Sequence, residues 1–308
     1  METINPVHNN ISPKLMNQER SQKPKMLVVD DEPDNLDLLY RTFRRDFQVF
    51  RADSGTQALE ILAQEGEVAV IISDQRMPQM KGTEFLSRTV PQFPNTMRII
   101  LTGFTDVEDL VAAINSGQVY KYITKPWDPN ELKAVVQRAT ETYAVLQQRL
   151  DELQRAEKQA ALLATIVELS QTMVDMATTL QAIASAFGKS FQADGCVLCV
   201  LGTDTPIADY GCYGLASTAD WLPQDPLFAE TLATGQVTGC FNIAAEADLA
   251  HLPTYQSLGI QAHVLCPVVH RGQNRAVLSL QWQQAHILSK GELAMLYLCA
   301  QQVVLALT

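Results

Sequence analysis

Histidine is scarce in this sequence, and the gap is informative: none of the five falls between His8 and His251. The long helical stretch in the middle of the chain therefore has no imidazole to accept a phosphoryl group. Positive charge is scarce too. Lysine and arginine total 23 against 34 acidic residues, a net charge of -11, which works against a surface that neutralises a nucleic-acid backbone. No apolar run approaches the roughly 20 residues that cross a bilayer, and the N-terminus has no apolar signal-peptide core. A cytoplasmic protein with neither a membrane nor a nucleic-acid partner is expected. Cysteine is confined to the C-terminal half, at Cys196, Cys199, Cys212, Cys240, Cys266 and Cys299. Most lie in apolar strand-like runs, where a thiol acts as a small hydrophobe and no disulfide framework is expected. Cys196 and Cys199 form a lone CxxC without a second pair at zinc spacing, which favours buried cysteines over metal or redox chemistry. Glycine-rich ATP lids, HD pairs, cyclase or phosphodiesterase signatures and a basic recognition helix are all missing.

What is present fills two domains and a connector, as 308 residues with 47% apolar content predict. Residues 1–24 are rich in Asn, Gln, Lys, Ser and Pro without periodicity, and read as a disordered tail. From residue 26, apolar runs (MLVV, FQVF, VAVII, MRIIL, VYKYI) alternate with helical patterns such as PDNLDLLYRTFRR and TDVEDLVAAINSG. The second pattern closes on Gly117, a helix C-terminal stop. This rhythm predicts an α/β domain over residues 25–138, with a doubly wound, parallel five-stranded sheet covered on both faces. Function in such sheets collects at the carboxyl ends of the strands. Here those ends carry Asp30, Asp31, Asp74, Thr102 and Lys125.

Carboxylates, a hydroxyl and a lysine delivered by separate strands are what a phosphoryl site needs, because phosphoryl transfer asks mainly for positioning and charge. Magnesium takes oxygen ligands and keeps several waters, so Asp31 and Asp74 suit direct ligation and Asp30 ligation through water. Three neighbouring carboxylates repel one another in a partly buried cleft, which makes a divalent cation the natural counter-charge. Asp74 is the candidate nucleophile, since carboxylates form acyl phosphates. Lys125 would place its charge, and Thr102 its hydroxyl, on the phosphoryl oxygens.

The Asp30–Asp31 pair, Asp74 ahead of Met77 and Pro78, Thr102 after an apolar strand, and Lys125 before Pro126 together resemble the receiver domain of two-component response regulators, over residues 25–140. The wording LTGFTD followed by YKYITKPWDP is especially similar to receivers of hydrogenase-type regulators and of HD-GYP-type cyclic-di-GMP phosphodiesterase regulators. The resemblance implies a flavodoxin-like fold and a histidine kinase partner that phosphorylates Asp74. It implies Mg2+ held by Asp30, Asp31, Asp74 and the Arg76 backbone carbonyl. It also implies a switch in which Tyr122 turns inward as Thr102 moves toward the phosphate. The alternative for Tyr122 is a half-buried sheet aromatic that packs without switching. If phosphorylation biases two states, the face spanning residues 105–117 and 119–122 should change most and act on the helix from Glu131.

That helix, opened by Asp128 and Pro129, carries an apolar stripe at Val136, Ala139, Tyr143, Leu146, Leu150, Leu153, Ala160, Ala164 and Val167. No glycine or proline interrupts the chain from Glu131 to Phe187, so one continuous helix is expected. Its heptad-like spacing predicts a coiled-coil linker over residues 139–165 and a homodimer, with Glu157 as a flaw in the seam. A helix that bends back onto the second domain is the alternative.

After Gly188 come short strand patterns (GCVLCVLG, IADYGCYGL, Gln236 to Phe241, AHVLCPVV, RAVLSLQW), a hairpin turn at HRGQN and a closing helix from Ser289. They predict an α+β domain with an antiparallel sheet over residues 166–308. With the stretch YQSLGIQAHVLCPVV, it resembles a GAF domain, a small-ligand sensor or dimerisation module. Bilin-binding relatives place a Cys-His pair where this chain has Ala250 and His251, so covalent bilin attachment is not expected. His251 is a weak cofactor candidate against a plain surface residue. From residue 161 only Lys189, Arg271, Arg275 and Lys290 are basic, against eleven acidic residues, a poor setting for phosphate-rich ligands. Two readings of the whole stay open. One is a phosphorylation-controlled signalling module without enzymatic activity beyond phosphotransfer and self-dephosphorylation. The other is the regulatory front of an enzyme, such as a cyclic-di-GMP phosphodiesterase or cyclase, whose catalytic domain is absent from this chain.

Overall fold

The computed structural model describes residues 9–17, 23–103, 119–171, 175–215 and 217–307. They form two compact units, one of residues 21–152 and one of residues 153–308 joined by the N-terminal segment.

In the first unit, β1 (Lys25–Val29), β2 (Gln48–Ala52), β3 (Val70–Asp74), β4 (Met97–Thr102) and β5 (Lys121–Thr124) form a parallel sheet in the order β2-β1-β3-β4-β5. The central strands β3 and β4 are buried at every residue, as expected where helices cover both faces. One face packs Leu39, Phe43, Leu132 and Val136 against Val28, Ile72 and Ile99. The other packs Leu62, Phe85 and Leu86 against Leu27, Ile71 and Ile100. The strand order reverses between β1 and β3, which opens the crevice where such folds bind ligands. The expected helix over residues 105–117 lies outside the described residues, and of the face expected to change most only residues 119–122 are described.

Asp128 opens the next helix, its Oδ1 accepting from the Asn130 and Glu131 amides at 2.8 and 3.0 Å. That helix ends at Gln171 (Pro129–Gln171) and a second runs Met176–Ser190, so the uninterrupted helix to Phe187 is corrected to two. The physical reason is Asp175. In an extended backbone conformation it accepts from the Thr178 amide at 2.9 Å and hydroxyl at 2.7 Å, and an N-cap starts a helix without glycine or proline.

The predicted stripe divides along the first of these helices. Val136 and Ala139 are buried in the first unit, with Tyr143 and Leu146 packed against its core. Beyond them Leu150 (38% exposed), Leu153 (58%) and Val167 (41%) face solvent, as do Ala160 and Ala164. A different face of the same helix supplies Leu162 and Ile166 to the second unit's core.

The second unit holds an antiparallel sheet ordered β7-β6-β10-β9-β8, from β6 (Gly195–Val200), β7 (Asp209–Gly214), β8 (Thr238–Cys240), β9 (Ala262–His270) and β10 (Gln273–Trp282). The β9–β10 hairpin turns through Arg271 and Gly272, both at positive φ. One face packs Ile166, Ile183, Phe187, Leu293 and Leu296. The other lies under Leu227, Phe228, Leu249 and Tyr255. Ser289 and Glu292 form a reciprocal capping box on the closing helix Lys290–Gln302. All six cysteines are free and buried, and burial pushes thiols such as Cys196 and Cys266 well above their usual range.

The disordered tail expected over residues 1–24 is corrected for its described part. Ile11 and Leu15 are 1% and 2% exposed in the second unit's core, and Pro13–Met16 is a short helix. Polar composition averaged away two apolar anchors four residues apart.

Substitution at neighbouring positions tests how the linker helix divides its faces. Ile166→Ala should destabilise the second unit by about 2–5 kcal/mol in denaturant unfolding, whereas Val167→Ala should change its intrinsic stability by less than about 0.5 kcal/mol.

Candidate functional site

Three chain segments converge at the crevice. Asp30 follows β1 and is fully buried. Its carboxylate accepts from the Glu32 amide at 3.0 Å and, through both oxygens, from Asn35 Nδ2 at 3.1 Å. Asp74 closes β3, where its Oδ2 accepts from the Arg76 amide at 2.6 Å. Lys125 follows β5, and its amide donates to the Thr102 carbonyl at 2.7 Å. From there its Nζ reaches Asp74 Oδ1 at 2.5 Å and Asp30 Oδ2 at 3.2 Å. Thr102 ends β4, is buried, and donates to the Gly103 carbonyl at 3.1 Å. Asp31 is exposed beside the pair, and Tyr122 stands 44% exposed on β5.

Two carboxylates and one ammonium leave a residual negative charge. Burial raises the Asp74 carboxyl above its ordinary range, the nearby Asp30 charge adds to the rise, and Lys125 and the Arg76 amide oppose it. Burial lowers Lys125, but the hydrogen bond to Asp74 and the charges of Asp30 and Asp74 outweigh it and leave the ammonium above its usual value. The donor set suits a hard cation: buried carboxylate oxygens, an excess of negative charge, and an exposed Asp31 at the mouth. Among the described residues no three His, Cys, Asp or Glu side chains converge as a ready metal cage. A cation here would complete its shell with water or phosphate oxygens, as magnesium ordinarily does.

The loop after Asp74 contains residues that sequence reasoning missed. Gln75 Oε1 accepts from the Thr83 amide at 3.1 Å, and the Gly82 amide donates to the Gln75 carbonyl at 3.0 Å. A Cβ on Gly82 would clash with the Asp74 carbonyl oxygen, so only glycine lets this loop close against the Asp74 backbone. Asn35 was missed too. Its signal was an amide one helical turn into the segment that follows the acidic pair.

In the second unit His251 is exposed at the end of the short helix Ala247–Ala250, apart from the buried polar groups. Those gather at Asp225, Tyr255, His263, Ser279 and Gln281, which sequence reasoning did not single out. Tyr255 donates to Asp225 Oδ2 at 2.7 Å and lies 2.7 Å from His263 Nδ1. His263 Nε2 is 2.7 Å from Ser279 Oγ, which also accepts from Gln281 Nε2 at 2.5 Å. Asp225 caps the helix Pro226–Thr234 through the Leu227 amide at 2.8 Å. Burial raises its carboxyl, but the His263 charge and the hydrogen bonds from His263, Tyr255 and Leu227 hold it below the usual range. The order Asp225–His263–Ser279 is that of a hydrolase triad, yet Ser279 is completely buried, so the network fastens helices to the sheet. The available signal was a polar residue at inward positions of otherwise apolar strands.

Because the ionised Asp74 is disfavoured by burial, Asp74→Asn should raise the thermal midpoint of the first unit by a few degrees at pH 7. The sign follows from linkage: wild-type stability is lost as pH rises through the elevated Asp74 pKa, so the gain should fade as the pH is lowered toward about 4. Calorimetry at both pH values measures it.

Comparison with known proteins follows the same division. Residues 26–137 match the response regulator receiver domain family, and residues 175–307 match the GAF domain family. The hydrogenase transcriptional regulatory protein HoxA of Cupriavidus necator is 41% identical over 116 residues, 38% of this chain and 24% of HoxA. The chain thus spans about a quarter of that relative's length. An uncharacterized 14.6 kDa protein of Leptolyngbya boryana is 37% identical over 116 residues, 37% of this chain and 87% of that protein. The crystal structure of the signal receiver domain of an HD domain-containing protein from Pseudomonas fluorescens is 37% identical, at a TM-score of 0.38 over 40% of this chain and 99% of that one. With a parallel sheet whose strand ends carry Asp30, Asp74, Thr102 and Lys125, followed by an antiparallel α+β unit, the chain belongs to the two-component response regulators, as a receiver domain joined to a GAF domain.

Proposed function

We propose that the chain is the phosphorylation input and dimer-forming part of a two-component regulator, with Asp74 as phospho-acceptor. The observation that carries this reading is the single ammonium of Lys125 shared by Asp74 and Asp30. An Asp74 oxygen would attack the phosphorus of a phosphohistidine on a partner kinase. The O–P bond forms as the N–P bond breaks, and the electron pair leaves with the imidazole. Lys125, already on Asp74, is placed to follow the phosphoryl oxygens, and the Thr102 hydroxyl to exchange the Gly103 carbonyl for one of them. Asp30, Asp31, Asp74 and the Arg76 carbonyl would hold Mg2+, whose chemistry is to neutralise charge between carboxylates and phosphate. Hydrolysis of the acyl phosphate resets the site, and no other catalysis is proposed.

The added charge of about -1.5 to -2 would bias Thr102 and the outward Tyr122, and through them the helix Pro129–Gln171. Its exposed stripe at Leu150, Leu153, Ala160, Ala164 and Val167 keeps heptad spacing, which supports a parallel coiled coil between two copies. The GAF domain would then serve as a dimer-stabilising or small-molecule-sensing module. Among the described residues no helix is long and apolar enough to cross a membrane.

Wild-type chain incubated with Mg2+ and acetyl phosphate should incorporate close to one phosphate, and Asp74→Ala at least about tenfold less; equal labelling rejects the assignment. Light scattering should give a dimer for wild type and a monomer for Leu153→Glu/Val167→Glu. A dimer that survives this change is not held by the helix.

A further inference from the structure

The sheet of the GAF-containing unit ends at β8, and residues 9–16, which precede the receiver in sequence, lie along this edge. The Val237 amide donates to the Asn10 carbonyl at 2.8 Å and the Ser12 amide to the Val237 carbonyl at 2.9 Å, a parallel bridge centred on Ile11 and Val237. Gln236 Nε2 donates to the Asn9 carbonyl at 2.8 Å. Ile11, and Leu15 in the turn that follows, sink into the core. Lys14 meets Glu246 at 3.0 Å. These are the parts of recognition by strand addition, in which main-chain bonds supply affinity and side-chain pockets supply selectivity.

We propose that this edge is a peptide-docking site and that residues 9–16 are its intramolecular ligand. The site takes an extended segment followed by one helical turn, with apolar side chains where Ile11 and Leu15 stand and a cation where Lys14 meets Glu246. The occupant is suited to reversible docking. Two buried side chains and a short run of hydrogen bonds give little surplus over the cost of ordering the backbone, and attachment to the same chain supplies the local concentration that keeps the site filled. The chain runs from this strap through residues 18–24 into β1 and returns to the same unit along the helix Pro129–Gln171. Segments of the GAF-containing unit thus flank the receiver on both sides in the sequence. Release of the strap would open an edge for another extended segment, a surface that folded sheets otherwise keep covered.

The test removes residues 1–17 from the full chain and adds a fluorescent peptide of residues 9–17, followed by anisotropy. Saturable binding to the truncated chain is expected, with binding to the full chain at least about tenfold weaker because the tethered segment competes. The same peptide carrying Ile11→Glu and Leu15→Glu should not bind. Equal binding to both chains overturns the proposal, as does no binding to a truncated chain that keeps its thermal transition. A dimer that disappears on truncation also overturns it, since the segment would then be exchanged between copies. If truncation abolishes folding, the full chain with Ile11→Glu decides by amide hydrogen exchange. Protection should be lost at Val237 and kept at Val277 in the central strand β10. Loss through the whole sheet, or at neither position, rejects a docking site.

Discussion

Two buried carboxylates sharing one ammonium set the terms for everything near them. Asp30 and Asp74 are brought together by the reversal of strand order between β1 and β3, and Lys125 reaches them from beyond β5. Neutral donors add to the ammonium: the amides of Glu32 and Arg76 and the Asn35 side chain. The constraint passes outward from there. Gln75 and Gly82 hold the loop against the Asp74 backbone, and the buried helix faces of Phe85 and Leu86 fix that loop to the sheet.

Much of this was legible because each requirement is local. A strand buried on both faces reads as an unbroken apolar run, and a polar residue at its carboxyl end has few reasons to be there other than chemistry. The second sheet was legible in the same way, from alternating runs and one hairpin turn. What escaped depends on partners distant in sequence. His263 and Ser279 look like ordinary interruptions of apolar strands until β9 and β10 set them side by side. Asp225 caps the helix Pro226–Thr234, and it also serves Tyr255 and His263 from one carboxylate.

The linker helix shows why periodicity alone misleads. Its stripe was read as one surface with one partner, but a long helix has enough circumference to satisfy several. Val136, Ala139, Tyr143 and Leu146 spend the stripe on the receiver core, Leu162 and Ile166 use another face for the GAF core, and Leu150, Leu153 and Ala160 remain outside both. The break before Met176 was invisible to a search for glycine and proline because an aspartate did the work. Ile11 and Leu15 were hidden for a related reason: two apolar residues among many polar ones do not move an average, yet each fills a specific place.

The distribution of thiols turns the molecule into its own reporter. All six cysteines belong to the GAF-containing unit, each buried and unpaired, while residues 21–152 contain none. A buried, protonated thiol meets a reagent only when its surroundings open. Alkylation kinetics of the unmodified chain thus read the opening of one unit alone, with the receiver silent. A change in that rate on phosphorylating Asp74 would be a direct measure of energy passing from the strand-end site to the second sheet, with no label introduced.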